Sequence, residues 1–343
     1  MNKKVLITGG SGYFGEILVK QLLEKGFNCS IFDLNEPDII SSGNNLTYIK
    51  GDIRNEKDVS DATKNIDFVF HNVAQVPLSK NKKLFKEVNI DGTRNILKFS
   101  LKNNINHFVY TSSSAIYGIP TSNPVSEKTI PYPGEAYGQA KLDGEKLVVE
   151  YSKKGLKSSI IRPRTILGNS RLGIFQILFE WVYKGKNIPV FDGGENIYQF
   201  IHSDDLANAI IKSINIDKSS SFNIGAENYC SMKETLAYLI DKANSKSKIK
   251  SLPSKYIIPI MKISSFLNIS PLGAYHSMMY GKSMFFDISK AKKELSWSPK
   301  YSNKEMIFQS YLEYVKNRKN IINNANQKSL HKSAIKQGIL NLL

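Results

Sequence analysis

The first half of the chain alternates short, continuous apolar runs with segments of helical periodicity. The apolar runs are rich in β-branched and aromatic residues, which is typical of strands that are buried on both faces. They lie at residues 5–8, 29–34, 46–53, 67–74, 107–118 and 157–168. Strands that alternate with helices in this way predict a doubly wound α/β fold, in which helices cover both faces of a parallel sheet.

The pattern loosens after residue 168 and predicts a smaller, mixed α/β lobe that binds the substrate. We expect a helix over 172–186, a strand over 188–191, a helix over 231–245 and two closing helices within 287–318. The first domain then comprises 1–168, with 188–225 returning to it, and the second lobe comprises 169–187 and 226–320.

The last segment, 321–343, is basic with spaced apolar residues, which is typical of a weak amphipathic helix docked on the protein, of a disordered tail, or of a membrane-surface contact. The apolar-leaning stretch 256–281 is interrupted by Pro259, Lys262 and Pro271, which argues against a membrane-spanning helix. The N-terminus lacks the apolar core of a signal peptide. We therefore predict a cytoplasmic protein and leave peripheral membrane contact open.

Charge and cysteine content exclude several classes of function. The net charge is +17, with the larger excess in the second half of the 343 residues. The lysines are scattered among asparagines and serines without a nucleic-acid-binding motif, so we expect no nucleic-acid partner. Cys29 and Cys230 are too few for a disulfide framework, and the histidines lack metal-ligand spacing, so we expect no metal.

The first predicted strand runs directly into a glycine-rich loop, TGGSGYFG at 8–15, which opens a helix. Glycines let the backbone approach a pyrophosphate, and the helix N-terminus binds it with free amide groups. Asp33 ends the second strand, where a carboxylate can accept hydrogen bonds from ribose hydroxyls. No arginine follows Asp33 closely, so the sequence favours NAD over NADP.

The predicted cofactor-binding residues follow the order of strands and loops. We expect the pyrophosphate and adenosine of NAD to contact Gly9, Ser11, Gly12, Tyr13, Phe14, Gly15, Asp33 and Leu34. At the ends of the third and fourth strands, we expect contacts from Asp52, Ile53, Val73 and Ala74, the first two near the adenine.

Tyr137 and Lys141 lie one turn apart in a predicted helix over 135–155. Alone, such a pair is typical of an exposed surface contact. A nicotinamide reaction, however, needs a base for the substrate hydroxyl. A tyrosine with a pKa near 10 is only about 0.1% phenolate at pH 7, and lowering its pKa by roughly three units requires about 4 kcal/mol. A neighbouring ammonium can supply part of this free energy. The segment TSSSAIYG at 111–118 offers a serine hydroxyl that could hold the substrate oxygen.

Together, these motifs resemble the extended short-chain dehydrogenase/reductase superfamily, and within it the NAD-dependent epimerase/dehydratase group. The resemblance covers residues 1 to about 318 and rests on TGGSGYFG, GDI, VNIDGTRNIL, TSSSAIYG, YGQAK, RP followed by LG, and FIHSDDLANA. It implies that Tyr137 is the acid/base and that Ser113 orients the substrate hydroxyl. It also implies that Lys141 lowers the pKa of Tyr137 and holds the nicotinamide ribose.

The resemblance further assigns supporting roles around the cofactor. It implies that Asn89 supports the active-site helix and the cofactor, that Pro163 lines the nicotinamide pocket, and that Ser112 contacts the cofactor. It also implies a homodimer formed through the helices at 84–104 and 135–155.

The chain departs from the family pattern where the substrate would bind. Nucleotide-sugar 4,6-dehydratases follow the catalytic serine or threonine with an Asp-Glu pair, but Ser114 and Ala115 stand here, so we do not expect dehydration. Many UDP-sugar epimerases carry an asparagine where this chain has Thr165 and an arginine where it has Tyr198. We expect substrate contacts from Ser113, Ser114, Arg164, Thr165, Arg171 and Tyr198, with the two arginines as anion ligands or as structural or surface charges.

Three functions remain. The favoured one is an NAD-dependent 4-epimerase of a sugar on a diphosphate carrier, either a nucleotide sugar or a polyprenyl-linked sugar. The second is a dehydrogenase of a ring alcohol, because RPRTILG at 162–168 also resembles the corresponding stretch of 3β-hydroxysteroid and sterol-type members. A cofactor-sensing binding protein is disfavoured because Ser113, Tyr137 and Lys141 are intact.

Overall fold

A seven-stranded parallel sheet forms the centre of the computed structural model, which describes residues 3–38, 45–75, 82–169, 175–259, 279 and 281–323. In chain order, the strands are β1 (Lys4–Thr8), β2 (Asn28–Asp33), β3 (Leu46–Lys50), β4 (Phe68–His71), β5 (His107–Thr111), β6 (Ser158–Pro163), β7 (Thr165–Leu167), β8 (Ile188–Phe191), β9 (Phe200–His202), β10 (Ser220–Ile224) and β11 (Ile249–Leu252). The order across the central sheet is β10-β6-β5-β4-β1-β2-β3, with every pair parallel.

The described helices are α1 (Tyr13–Glu24), α2 (Glu56–Ala62), α3 (Lys82–Lys86), α4 (Thr93–Lys102), α5 (Ala136–Lys153), α6 (Phe175–Lys184), α7 (Ser203–Lys212), α8 (Met232–Lys242), α9 (Ser289–Glu294) and α10 (Asn303–Asn323). A π-helical turn, Glu87–Gly92, joins α3 to α4, and a 3-10 turn, Ser114–Tyr117, follows β5.

Two apolar clusters bury the central sheet on both faces. Val5 and Ile7 of β1 belong to a cluster that includes α1 and α7 residues, whereas Leu6 belongs to the opposite cluster with α2, α4 and α5. Successive strand residues point to opposite faces, so β1 must be apolar throughout. This arrangement confirms the predicted doubly wound α/β fold.

A third apolar cluster holds the smaller lobe together. It joins residues of α6, α8 and α10, including Phe179, Leu236 and Tyr314. Two short parallel pairs, β7 with β9 and β8 with β11, lie beside it. The segment 188–225 contributes to both parts, since β8 pairs with β11 whereas β10 forms the edge of the central sheet.

Two predicted strands end early where the chain enters the candidate site. The strand predicted over 107–118 ends at Thr111, because the Ser113 hydroxyl accepts a hydrogen bond from the Ala115 amide and caps the 3-10 turn. The strand predicted over 157–168 is interrupted at Arg164, and β7 leaves the central sheet to pair with β9. These two strand ends were predicted wrongly, and so were those of the strands predicted over 46–53 and 67–74, which end at Lys50 and His71.

No helix in the described part of the chain is long and apolar enough to cross a membrane. The predicted tail beyond residue 323 and most of the stretch 256–281 lie outside the described residues.

A buried ion pair attaches α5 to β6. The Arg162 guanidinium donates from Nε and Nη2 to the two carboxylate oxygens of Glu145, at 2.9 and 2.7 Å. Its Nη1 donates to the Tyr117 hydroxyl at 2.8 Å, and the Ser112 hydroxyl donates to Glu145 at 2.6 Å. One network therefore joins α5, β6 and the loop after β5.

Breaking this pair from one side would leave Arg162 buried without a counter-charge. We expect Glu145→Gln to lower the free energy of unfolding by about 3–5 kcal/mol, the usual cost of removing one member of a buried pair, in urea denaturation. The matched control is Glu150→Gln on the same helix, which removes only an exposed pair with Lys154 and should change stability little. Equal losses in the two variants would contradict the role of the pair.

Candidate active site

The glycine loop between β1 and α1 is tight at its base and open at the helix end. Gly9 has a φ of +71°, which favours glycine, and a Cβ on Gly15 would lie 2.1 Å from the Gly9 carbonyl oxygen. Gly12 is the N-cap of α1, and in the described chain a Cβ there would meet only the Gly9 oxygen, at 3.3 Å. The loop therefore leaves room for a pyrophosphate beside the first amides of α1.

The Asp33 carboxylate lies beside this loop at the end of β2. It accepts hydrogen bonds from the backbone amides of Ser11, at 3.2 Å, and Asn35, at 3.1 Å. Burial raises the pKa of Asp33, and the amide hydrogen bonds oppose this rise. The carboxylate is thus oriented where ribose hydroxyls can donate to it, and its charge disfavours a 2′-phosphate. Leu34, which follows, is 57% exposed.

The predicted adenine end contains an ion pair that the sequence reasoning missed. Arg54 donates from Nε and Nη2 to Asp52, and this contact lowers the pKa of the Asp52 carboxyl. Ile53 is buried and fills the space where a Cβ on Gly92 would lie, 2.7 Å from its Cγ2. Asp52 is therefore held in place by Arg54, and Ile53 packs against the π-helical turn.

The chain after β4, which carries Val73 and Ala74, is held by Asn89. The Asn89 side chain accepts from the Gln75 amide at 2.8 Å and donates to the Gln75 carbonyl at 3.2 Å. Asn89 is almost fully buried in the π-helical turn. It therefore supports the segment that faces the glycine loop, where a Cβ on Gly9 would lie 3.0 Å from the Val73 amide.

Of the two loop aromatics, Tyr13 is buried and its hydroxyl donates to the Gly168 carbonyl, which links α1 to the end of β7. Phe14 packs against the apolar cluster beneath α1. The side chains of Tyr13 and Phe14, both predicted to contact the cofactor, therefore make contacts within the protein.

The N-terminus of α5 lies directly against the turn that follows β5. A Cβ on Gly138 would be 2.4 Å from the Ala115 carbonyl oxygen, so only glycine allows this approach. Tyr137 immediately precedes Gly138, and its amide donates to the N-capping Glu135. Ser113 begins the opposing turn. The contact therefore brings the turns that carry Tyr137 and Ser113 together, and both side chains are partly exposed.

Lys141 lies one helical turn after Tyr137 and is 3% exposed. Its Nζ donates to the Thr111 carbonyl at 2.8 Å and lies 4.9 Å from the centre of the Tyr110 ring. Burial lowers the pKa of Lys141 to about 7, and the charge of Glu145 opposes this shift. The ammonium is thus confined to the carboxyl end of β5, on the same helical face as Tyr137.

Ser112 and Asn72, which follow β5 and β4, differ in whether their side-chain hydrogen bonds are satisfied within the protein. The Ser112 hydroxyl is buried in the Glu145 network, so its side chain faces the protein interior. Asn72, at the end of β4, accepts from the Thr111 hydroxyl at 2.6 Å, but its buried Nδ2 has no hydrogen-bond partner in the described structure. An amide donor left open at the ends of the central strands fits the polar groups of a cofactor.

Four of the predicted substrate residues, Ser114, Arg164, Thr165 and Tyr198, lie together at β7. The hydroxyls of Thr165 and Tyr198 are hydrogen-bonded to each other at 2.8 Å. Arg164 is buried and donates from Nη1 to the Ser114 hydroxyl at 3.1 Å. Pro163 precedes it at the end of β6, and Arg171 lies outside the described residues. In the described ranges, no cluster of histidine, cysteine and acidic residues suits a metal.

Comparison with known proteins decides the family. Residues 5–225 match the model of the NAD dependent epimerase/dehydratase family. The chain belongs to this family. A Sinorhizobium fredii protein described as uncharacterized, y4nG, is 49% identical over 99% of this chain and 85% of its own length.

Other members differ in the reaction that their names describe. The sterol-4-alpha-carboxylate 3-dehydrogenase, decarboxylating, of Mus musculus is 24% identical over 89% of each chain. The UDP-glucose 4-epimerase of Thermotoga maritima, whose structure was solved with UDP-glucose, superposes with a TM-score of 0.76 at 23% identity, over 92% of this chain and 99% of its own. At this identity the superposition establishes the shared fold.

NAD is the cofactor of this epimerase/dehydratase family member, and the residues of the chain fit it. The glycine loop has the space for a pyrophosphate, Asp33 is oriented for a ribose, and Asn72 has an unpaired buried donor. The predictions of the family, the fold and NAD are thus confirmed, whereas the roles of individual side chains stay predictions.

The buried lysine should make stability depend on pH. The folded protein loses the Lys141 proton near pH 7, whereas the unfolded chain keeps it to about 10.5. The penalty of burying the ammonium is therefore full below pH 7 and falls as the pH rises towards 10.5. We expect cofactor-free Lys141→Met to be more stable than the parent at pH 6, with a smaller difference at pH 9, in urea denaturation.

The control for this prediction is Lys146→Met, an exposed lysine on the same helix, which should show no such pH-dependent gain. A Lys141→Met variant that is less stable than the parent at pH 6, or whose gain grows with pH, would contradict the assignment.

Proposed function

We propose that the protein is an NAD-dependent epimerase of a sugar linked to a diphosphate carrier, with Tyr137 as its acid/base. The observation that supports this most is the contact between Gly138 and Ala115, because it brings the helix turn of Tyr137 to the serine turn of Ser113. Lys141 lies on the same helical face, at the end of the central strands where this fold binds its ligands.

Ser113 holds the substrate hydroxyl and orients it towards Tyr137. The Tyr137 phenolate accepts the hydroxyl proton as the carbon is oxidised, and the phenol returns a proton to the oxygen when the carbon is reduced again. A bound NAD would supply the hydride acceptor for the oxidation of that carbon and the hydride donor for its reduction. Return to the other face of the keto sugar inverts the configuration, so no net cofactor is consumed.

Lys141 makes the phenolate accessible near neutral pH. Its ammonium is buried and held by the Thr111 carbonyl, so its field acts on Tyr137 with little screening by water. Its low pKa of about 7 in the cofactor-free protein means that this charge needs nearby acceptors to persist, and the ribose hydroxyls of a bound dinucleotide are such acceptors.

The proposal also concerns the group to which the sugar diphosphate is attached. Thr165 and Tyr198 replace the asparagine and the arginine of many UDP-sugar epimerases and are occupied with each other. Together with the greater positive charge of the second half, this supports a diphosphate carrier other than a nucleotide, such as a polyprenyl diphosphate. Conversion of a UDP-sugar as readily as of any polyprenyl-linked sugar would remove this support.

A net dehydrogenase of a ring alcohol is the second candidate, favoured by the similarity to the sterol dehydrogenase of Mus musculus over most of both chains. The two functions differ in whether they convert NAD to NADH overall. An epimerase equilibrates two sugar epimers without added NAD, whereas a dehydrogenase produces one NADH per substrate oxidised. Stoichiometric NADH formation from a hydroxyl substrate would therefore refute the epimerase.

The role of Tyr137 has a direct test. We expect Tyr137→Phe to fold, to bind NAD as the parent does, and to lose turnover by roughly 100-fold or more, because general acid–base catalysis contributes typically 10²–10⁴-fold. Turnover would be measured by the exchange of sugar epimers, and NAD binding by calorimetry. The control is Tyr132→Phe, a tyrosine that is 80% exposed shortly before α5, which should keep full activity. Turnover retained by Tyr137→Phe would show that another group moves the proton.

A further inference from the structure

We infer that Arg164 is a binding site for an anionic group of the substrate, a carboxylate or a phosphate, next to the reacting carbon. The inference rests on the proposed function and extends it by naming the chemistry of a substrate group. Two buried arginines of the same stretch, Arg162 and Arg164, differ in how they are paired.

Arg162 is fully paired within the protein. Its three side-chain nitrogens donate to the Glu145 carboxylate and to the Tyr117 hydroxyl, at 2.7–2.9 Å. Its charge and its hydrogen-bonding capacity are thus both satisfied, as expected of an arginine with a structural role.

Arg164 is more deeply buried, at 1% exposure, and it is not paired in this way. Its Nη1 donates to the Ser114 hydroxyl at 3.1 Å and to the Met284 sulfur at 3.0 Å. Its Nε and Nη2 have no hydrogen-bond partner, and no carboxylate in the described ranges forms an ion pair with it. A buried guanidinium with two open donors in a fork matches the two oxygens of a carboxylate or a phosphate.

The side chains around Arg164 indicate where a ligand would approach. The guanidinium carbon lies 4.7 Å from the centre of the Tyr198 ring and 5.6 Å from that of Phe286. Phe286, Met284 and Ser114 are buried, whereas Tyr198 is partly exposed. The Arg164 Nε and Nη2 atoms are themselves closed to solvent, so a ligand reaches them only when a neighbouring side chain moves. Among these four neighbours, Tyr198 is the one that solvent reaches, and its hydroxyl is hydrogen-bonded to Thr165.

The position of Arg164 places the anion near the chemistry. Arg164 bonds to Ser114, which follows the proposed catalytic Ser113, and it follows Pro163 at the end of β6. An anion on Arg164 therefore lies beside the ring that Ser113 and Tyr137 hold. A carboxylate on that ring and the first phosphate of the carrier can each offer two oxygens to Nε and Nη2 of Arg164. The experiments below distinguish these two anions.

The first experiment needs no knowledge of the substrate. The parent, Arg164→Met and Lys293→Met are saturated with NAD, so that the glycine loop is occupied, and are melted in sodium phosphate, in sodium acetate and in sodium chloride of equal ionic strength. Lys293 is an exposed lysine of α9, so its variant has the same loss of charge. We expect phosphate or acetate to raise the melting temperature of the parent and of Lys293→Met above the chloride value, but not that of Arg164→Met.

The same experiment can overturn the inference. If Arg164→Met responds to phosphate and acetate as the parent does, or if the parent responds to neither, Arg164 is not an anion site. The removal of an unpaired buried charge should also leave Arg164→Met at least as stable as the parent in chloride. Arg162→Met, which leaves Glu145 unpaired, should be clearly less stable.

A second experiment separates the two sources of the anion. The NAD-loaded parent and Arg164→Met are titrated calorimetrically with UDP, UDP-glucose and UDP-glucuronic acid. A charged hydrogen bond of this kind is worth roughly 10- to 100-fold in affinity. A loss confined to UDP-glucuronic acid assigns Arg164 to a sugar carboxylate, an equal loss for all three assigns it to the diphosphate, and unchanged affinities for all three overturn the inference.

The two proposals fail in different ways. If the parent binds none of the three nucleotides, the nucleotide carrier is refuted, and the response to phosphate and acetate still decides the role of Arg164.

Discussion

The contact between α5 and the carboxyl end of β5 is the constraint on which the candidate site depends. Two glycines make it possible, since a Cβ on Gly138 would lie 2.4 Å from the Ala115 carbonyl and one on Gly144 would lie 2.2 Å from the Tyr110 hydroxyl. At this distance, the Lys141 amine reaches the Thr111 carbonyl. The ion pair between Glu145 and Arg162 fixes the same helix to the next strand. The helix that carries the proposed acid/base therefore has little freedom to move away from the sheet.

Buried positive charge distinguishes the site from the rest of the described structure. A buried cation is costly unless it is paired, and Arg162 shows the paired case. Lys141 has a carbonyl and an aromatic ring as partners, and Arg164 has a serine hydroxyl, a sulfur atom and two rings. Groups that are left under-paired inside a stable fold are candidates for contacts with a ligand. Here the cofactor ribose is proposed for Lys141 and a substrate anion for Arg164.

The sequence was sufficient for the features that depend on local pattern. The glycine loop, Asp33 and the alternation of strands and helices are short-range signals, and they led to the correct fold, family and cofactor. Contacts between distant parts of the chain carry no such signal. The pairing of Glu145 with Arg162 and the Thr165–Tyr198 hydrogen bond are of this kind, because the second depends on the pairing of β7 with β9. The pair of Asp52 with Arg54 joins residues two positions apart and was missed although it is local. The interruption of the strand at Arg164 was not predicted, because the residues of β6 and β7 on either side of it are apolar enough to form one continuous strand pattern.

In the proposed mechanism, the environment of Tyr137 converts an ordinary phenol into a base near neutral pH. The most direct measurement is the titration of its phenolate absorbance in the NAD-bound protein, taken as the difference between the parent and Tyr137→Phe so that the other tyrosines cancel. The account predicts that this difference titrates well below the ordinary pKa of about 10, and that it returns towards 10 in the Lys141→Met background. A Tyr137 pKa near 10 in the parent, or one that Lys141→Met leaves unchanged, would contradict the account.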